Sequence, residues 1–543
     1  MTNAVVQVPV PVNEPVRDYA PGSPERSALK TRLVAMLDHV EEIPVVIGGE
    51  RIFTGEVFES VCPHDHQHVL ARVHAAGASD VEKAIDVSRQ AWASWSEMHW
   101  EDRAAVFLKA AELLAGPWRD TINAATMLDQ SKTANQAEID AACELIDFWR
   151  FNVAYLRELY THQASSLTEE WNRTEYRALE GFVFAVTPFN FTAIQANLPT
   201  APALCGNVAL WKPAEQATLG AWYVFQLLEE AGLPPGVINF LPGDGPTIGG
   251  VALAHRDLAA VHFTGSTGTF QHIWRTVGEN IADYRTYPRV VGETGGKDFV
   301  FLHPTADVDA ACVALVRGAF EYQGQKCSAA SRAYVPRSLW PELQSKLVDR
   351  IGLLEQGSPL DFRNFLCAVI DGEAFQRIAG AIERARNDSA VEIVCGGGVD
   401  DSKGWFIEPT VLLTSNPRSE TMETELFGPV LTVYVYDDEE LDATLELCDS
   451  TSPYALTGAI FARDRAALAH MATALRHAAG NFYLNDKPTG AVVSRQPFGG
   501  ARGSGTNDKA GSMFNLVRWV SQRSIKETFV PATDHRYPFM DDE

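Results

Sequence analysis

One of the eight cysteines in this 543-residue chain lies in the stretch FEYQGQKCSAASR, residues 320–332. As a thiolate, Cys327 could attack a carbonyl carbon, and a thioester formed on it would need a carboxylate to activate water. The motif ETGGK offers Glu293 for that task, because its neighbouring glycines let the backbone come close to a substrate. A lone cysteine is equally a small buried hydrophobe, so residue types by themselves leave the pairing open.

Four turns that follow short apolar runs carry the other candidates: TPFNF, WKPAE, TGSTGTF and ETGGK. In an open parallel sheet, ligands bind at the carboxyl ends of the strands. Gly265 and Gly268 in the third turn open a helix whose backbone N–H groups could meet a phosphate, although the fuller GxGxxG pattern is missing. Lys212 at a strand end could pair with phosphate or ribose oxygens. Glu215 could take ribose hydroxyls, where its charge would repel the extra phosphate of NADP. Each is also compatible with a solvated turn. The cluster CPHDHQH alternates Cys62, His64, His66 and His68, a spacing that suits an exposed strand or turn as well as a metal face; we expect no metal.

These residues need a scaffold. The first fifty residues are Pro-rich and read as an extended arm with one helix in ERSALKTRLVAMLDHV. Regular order is expected from residue 79, where Ser79 and Glu82 form a capping box, followed by helices over DRAAVFLKAAELLA and NQAEIDAACELIDFWRFN. From residue 181, GFVFAV, NVALW, VINFL and AAVHF alternate with amphipathic helices, the pattern of parallel strands with crossovers. A second such block runs from DFVFLH through RAYV, LTVYVYD and TGAIFA to NFYLND. The fold class is therefore α/β, with two doubly wound Rossmann-like domains meeting near residue 293. The charged segment LTEEWNRTEYRALE resembles an exposed hairpin.

A net charge of −25 argues against nucleic acid or an anionic membrane surface as partner. No stretch approaches the ~18 apolar residues of a spanning helix. The start, MTNAVVQVPVPVNEPV, reads as neither a secretory signal nor a basic targeting helix, so a cytoplasmic protein is expected. The cysteines lack CxxC spacing and are expected to be reduced.

The ordered motifs TPFNF, WKPAE, FTGSTG, ETGGK, GQKCS, ELFGPV and PFGG, with Glu293 and Cys327 34 residues apart, resemble the aldehyde dehydrogenase superfamily. FEYQGQKCSA, NFYLNDKPTG and QPFGGARGSGTND resemble the branch that oxidises L-glutamate γ-semialdehyde, the open form of Δ1-pyrroline-5-carboxylate, in proline degradation. The resemblance implies Cys327 as nucleophile, Glu293 as base and Asn190 as oxyanion donor. It implies NAD held by Thr187, Lys212, Glu215, the loop Gly265, Ser266, Thr267, Gly268 and Thr269, and by Glu425 and Phe427. For the substrate it implies Ser328, Gly490 and Ala491 on the carboxylate, Phe191 and Phe498 around the aliphatic stem, and Glu144 on the ammonium. Relatives commonly carry Ser where Ala491 stands, which removes a hydroxyl contact. Lys326 either lowers the pKa of Cys327 or faces solvent. Residues 1–164 and 182–293 would form the NAD-binding domain with its helical layer, and 294–522 the catalytic domain. Residues 165–181 and 523–543 would be small β oligomerisation arms, giving a homodimer or a multiple of it. A transient contact with a proline-oxidising enzyme is a further expected partnership.

Overall fold

The computed structural model describes residues 5–542. Two seven-stranded sheets organise it, each built around a parallel core. The first has the strand order Arg289–Glu293, Leu258–Thr264, Phe182–Val186, Val208–Lys212 and Ile238–Phe240, all parallel. Its far edge is finished by the antiparallel strands Val45–Ile47 and Glu50–Ile52. The second orders Thr410–Thr414, Val430–Tyr436, Ala330–Pro336, Asp298–Leu302, Thr457–Phe461 and Asn481–Leu484 in parallel, with Val391–Cys395 antiparallel at one edge. Helices cover both faces, so Val208–Lys212 and Asp298–Leu302 are buried at every residue, as their largely apolar sequences demand.

The one helix expected in the arm is Pro24–Leu37. Strands also begin earlier than the sequence indicates: Val45–Ile52 joins the first sheet, and Val57–Cys62 pairs with Asp65–His74 in a separate three-stranded sheet. The helix expected from Ser79 starts at Ala78 behind Gly77, whose N–H donates to the Asp80 carboxylate at 2.9 Å. The helix Arg119–Asp129 adds to the expected elements. The stretch expected as one helix from residue 135 is broken by a π turn, Glu138–Cys143, before Glu144–Thr161 continues. The extra residue in the turn rotates the following side chains, and such turns recur at functional sites.

The chain crosses between the halves more than once. Leu516, Trp519 and Val520 pack in the core of the first half. Trp519 stacks obliquely on His262 at 4.4 Å, and its carbonyl accepts from Asn207 Nδ2 at 2.8 Å. The charged segment expected as a hairpin instead supplies one strand, Glu170–Arg177, which pairs antiparallel with Ser521–Thr528 in a largely exposed ribbon. Each strand finds its partner at the other end of the sequence, so no local turn is needed.

Candidate active site

The carboxyl ends of the first sheet open onto a cleft of about 1090 Å³. Thr187, Lys212, Glu215, Gly265, Ser266, Gly268, Thr269, Glu425 and Phe427 line it, together with Asn190 and Cys327. Ser266 caps the helix Thr267–Glu279, its Oγ accepting from Thr269 N at 3.1 Å, so the free N–H groups of the first turn face the cleft side. Lys212 is buried, which lowers its pKa, and among the described residues its ammonium has only the Pro213 carbonyl as hydrogen-bond partner, at 3.2 Å. A desolvated cation with unused donors in a long cleft fits a dinucleotide with its phosphates and ribose hydroxyls. Glu425 accepts from Gly296 N at 2.8 Å, and burial pushes its carboxyl up to about 7. Phe427 meets Phe189 edge-on at 5.8 Å and adopts a left-handed backbone, φ 52°.

Cys327 borders this cleft and also a second, smaller cavity of about 100 Å³. Three consecutive left-handed residues lead into it: Tyr322 (φ 50°), Gln323 (φ 54°) and Gly324 (φ 67°). Gly324 is required there, since a Cβ would lie 2.3 Å from the Gly428 carbonyl oxygen. Gln323 holds the strained turn. Its Nε2 donates to the carbonyls of Ser131 at 3.0 Å and Ala368 at 2.7 Å, and its Oε1 accepts from Cys367 N at 2.9 Å.

Burial, reinforced by the carboxylates of Asp298, Glu293 and Glu425, pushes the Cys327 thiol well above its ordinary pKa. The Lys326 ammonium lies 3.7 Å from Asp140 and 3.8 Å from Glu321. It is buried rather than facing solvent. Burial rules out the solvent-facing alternative for Lys326, whose ammonium stands between two acidic side chains on the wall of the small cavity.

Glu293 ends the edge strand of the first sheet and lines the small cavity. Burial raises its carboxyl well above the usual range, against the opposing pull of the Gly500 N–H at 2.8 Å. Asn190 spends one amide hydrogen on the Gln325 carbonyl at 2.9 Å, which fixes its plane and leaves the second for another acceptor.

Ser328, Gly490, Ala491, Phe191, Phe498, Glu144 and Lys326 all line the small cavity. The Ser328 hydroxyl is hydrogen-bonded to that of Thr489 at 2.8 Å. Burial, together with the neighbouring Asp140, pushes Glu144 up to about 8. Asp140 pairs with the buried Lys132 at 2.8 Å, and the Lys132 ammonium sits 4.5 Å from the Phe191 ring centre.

The profile of the Aldehyde dehydrogenase family matches residues 53–524. The chain belongs to that family. A Delta-1-pyrroline-5-carboxylate dehydrogenase, mitochondrial, of Dictyostelium discoideum is 51% identical over 542 residues, 99% of this chain and 97% of that protein. The crystal structure of the Delta-pyrroline-5-carboxylate dehydrogenase from Mycobacterium tuberculosis bound with NAD superimposes with a TM-score of 0.96 at 55% identity, covering 100% of both chains. Proline utilization A from Bdellovibrio bacteriovorus matches with a TM-score of 0.91 at 30% identity, over 96% of this chain and 53% of that one.

Within this aldehyde dehydrogenase fold, the hydroxyl of Thr267 donates to Tyr454 OH at 3.2 Å, and Thr267 is not among the residues lining the cleft. In CPHDHQH, Cys62 is buried at a strand end and His64 Nδ1 faces Ser131 Oγ at 3.2 Å. Among the described residues no three His, Cys, Asp or Glu side chains converge on a metal position. No helix among them is long and apolar enough to cross a membrane. Gln323, Thr489 and the Lys132–Asp140 pair join the site without any local sequence pattern to mark them.

Proposed function

We propose that this aldehyde dehydrogenase oxidises L-glutamate γ-semialdehyde, from Δ1-pyrroline-5-carboxylate, to L-glutamate with NAD, the second step of proline degradation. The observation that carries the reading is the position of Cys327, which borders both a dinucleotide-sized cleft and a small cavity walled by aromatic and charged groups. Full-length identity of about one half to proteins named for this reaction supports it.

NAD, held by the cleft residues, supplies the hydride acceptor. The protein's own groups do the rest. Cys327, as thiolate, forms an S–C bond to the aldehyde carbon while the carbonyl electron pair moves to oxygen. The free N–H of Asn190 and the Cys327 backbone N–H receive that oxyanion. After hydride loss the C=O re-forms as a thioester. Glu293 then takes a proton from water, whose oxygen displaces the sulfur and releases the carboxylic acid. Ser328 and the N–H groups of Gly490 and Ala491 take the substrate carboxylate, Phe191 and Phe498 its stem, and Glu144 its ammonium. Ala491 contributes no hydroxyl, so its backbone carries that contact.

A homodimer or multiple of it, joined through the exposed ribbon, is part of this proposal, as is a transient encounter with a proline-oxidising enzyme that supplies the substrate. Sedimentation tests the first and co-purification the second. A cytoplasmic location belongs to the same proposal and is tested by cell fractionation, given that the Dictyostelium relative is named mitochondrial. The deciding assay is NADH formation from pyrroline-5-carboxylate by the purified chain, compared with succinic semialdehyde. A higher kcat/KM for the latter would overturn the substrate assignment.

A further inference from the structure

The loop 490–496 lines the small cavity through Gly490, Ala491, Val492, Val493 and Gln496, yet it belongs to no sheet. Its backbone is left-handed at Gly490 (φ 94°) and at Ser494 (φ 75°), where a non-glycine residue is strained. A loop of this kind keeps its place only through outside contacts.

The opposite end of the chain provides one. Asn13 Nδ2 donates to the Val493 carbonyl at 3.0 Å and to Asp147 Oδ2 at 2.8 Å, while its Oδ1 accepts from Arg495 Nε at 3.1 Å. All the polar groups of that side chain are engaged by these three bonds except one acceptor position. The following residues fasten the segment to the opposite wall. Glu14 N donates to Asp147 Oδ1 at 2.7 Å, and the Glu14 carboxylate pairs with Arg119 at 2.5 Å and Arg150 at 2.7 Å. Arg17 N and Tyr19 OH both donate to the buried Glu138 at 2.8 Å. Asp147 lies one helical turn beyond Glu144, and Glu138 opens the π turn that carries Asp140. A single extended segment thus ties the cavity's loop to the helix that forms its other wall.

We propose that Asn13 is a positioning residue for the substrate. It sets the distance between the loop backbone that takes the substrate carboxylate and the helix whose Glu144 takes the ammonium. The assignment rests on the reaction proposed above. Ala491 sharpens the requirement: with no hydroxyl to adapt, the contact depends on where the loop's backbone N–H groups stand.

The test uses the full chain with Asn13→Ala and Asn13→Asp. Pyrroline-5-carboxylate is compared with butanal, an aldehyde with neither carboxylate nor ammonium, and the rise in melting temperature caused by L-glutamate is measured separately. Asn13→Ala is expected to raise KM for pyrroline-5-carboxylate about tenfold, the scale of a lost hydrogen bond to a charged group. KM for NAD and kcat/KM for butanal should stay within about twofold, and the L-glutamate shift should shrink. Asn13→Asp, which loses both donated bonds and sets a second carboxylate beside Asp147, should do at least as much. Equal losses on both aldehydes, or no change on either, would overturn the assignment. A wild-type chain inert toward pyrroline-5-carboxylate sinks the proposed reaction first, and this role with it.

Discussion

Glu293 accepts the backbone N–H of Gly500 at 2.8 Å. The bond joins the last residue of the first sheet's edge strand to the PFGG loop, and a backbone bridge from Glu293 to Gly505 runs beside it. The carboxylate is thereby held still in a place where burial makes its charge costly. A base fixed beside a cavity and reluctant to ionise is poised to take a proton from water.

Replacing that base should separate chemistry from stability. Glu293→Gln keeps an acceptor for Gly500 but cannot take a proton, so NADH should appear as one burst per site followed by turnover slowed by about 100-fold or more. The folded pKa of Glu293 lies above its unfolded value, so the stability present at low pH is lost as pH rises through the folded value. Gln removes that loss. The variant should melt above the wild type at about pH 8 and not at about pH 4; unchanged steady-state turnover would refute the base.

The pH profile of the wild type carries the same sign. Glu293 and Cys327 are both raised by burial, and both must lose a proton to act. Activity as kcat/KM should therefore climb between about pH 6 and pH 9, since this parameter reports the free enzyme. The Glu293→Gln burst should still climb, through Cys327 alone. A profile that falls over that range would contradict both assignments.

Cys327→Ala should abolish NADH formation, by on the order of 10,000-fold or more. Cys327 is one of many residues lining the long cleft, so NAD affinity measured by fluorescence quenching should hold. Residual activity near the wild-type level would remove Cys327 from the mechanism.

The cofactor cleft offers a paired test. A Cβ added at Gly295 would lie 2.1 Å from Glu425 Oε2 and 2.8 Å from its Cδ, so Gly295→Ala must push that carboxylate aside. KM for NAD should rise about tenfold, as expected when a charged hydrogen-bond partner is displaced. Thr267→Ala, whose hydroxyl points to Tyr454, should leave it within about twofold. Equal effects of the two would contradict the placement of Glu425 in the cleft.

What the sequence makes legible follows the physics of each element. The buried strands Phe182–Val186, Val208–Lys212 and Leu258–Thr264 are largely apolar runs closed by turns, and that pattern puts Asn190, Lys212 and Ser266 at or just past strand ends. The direction of the Thr267 hydroxyl, toward Tyr454, is not legible, because a motif counts positions and carries no side-chain direction. Gln323, Thr489 and Asn13 are hidden for another reason. Their partners Ala368, Ser328 and Val493 are 45, 161 and 480 residues away, and no local periodicity encodes such pairs.

The packing of Leu516, Trp519 and Val520 into the first half sets a demand on the newly made chain. The strands around that site leave the ribosome early, but their interior stays open until the residues near 520 follow. Asn207, fully buried in the finished protein, waits with them for the Trp519 carbonyl. During that interval an apolar face is bare to water, the condition in which nascent chains aggregate or engage chaperones. A fragment ending at residue 293 would carry that open face permanently, so the two halves are made one after the other but completed together.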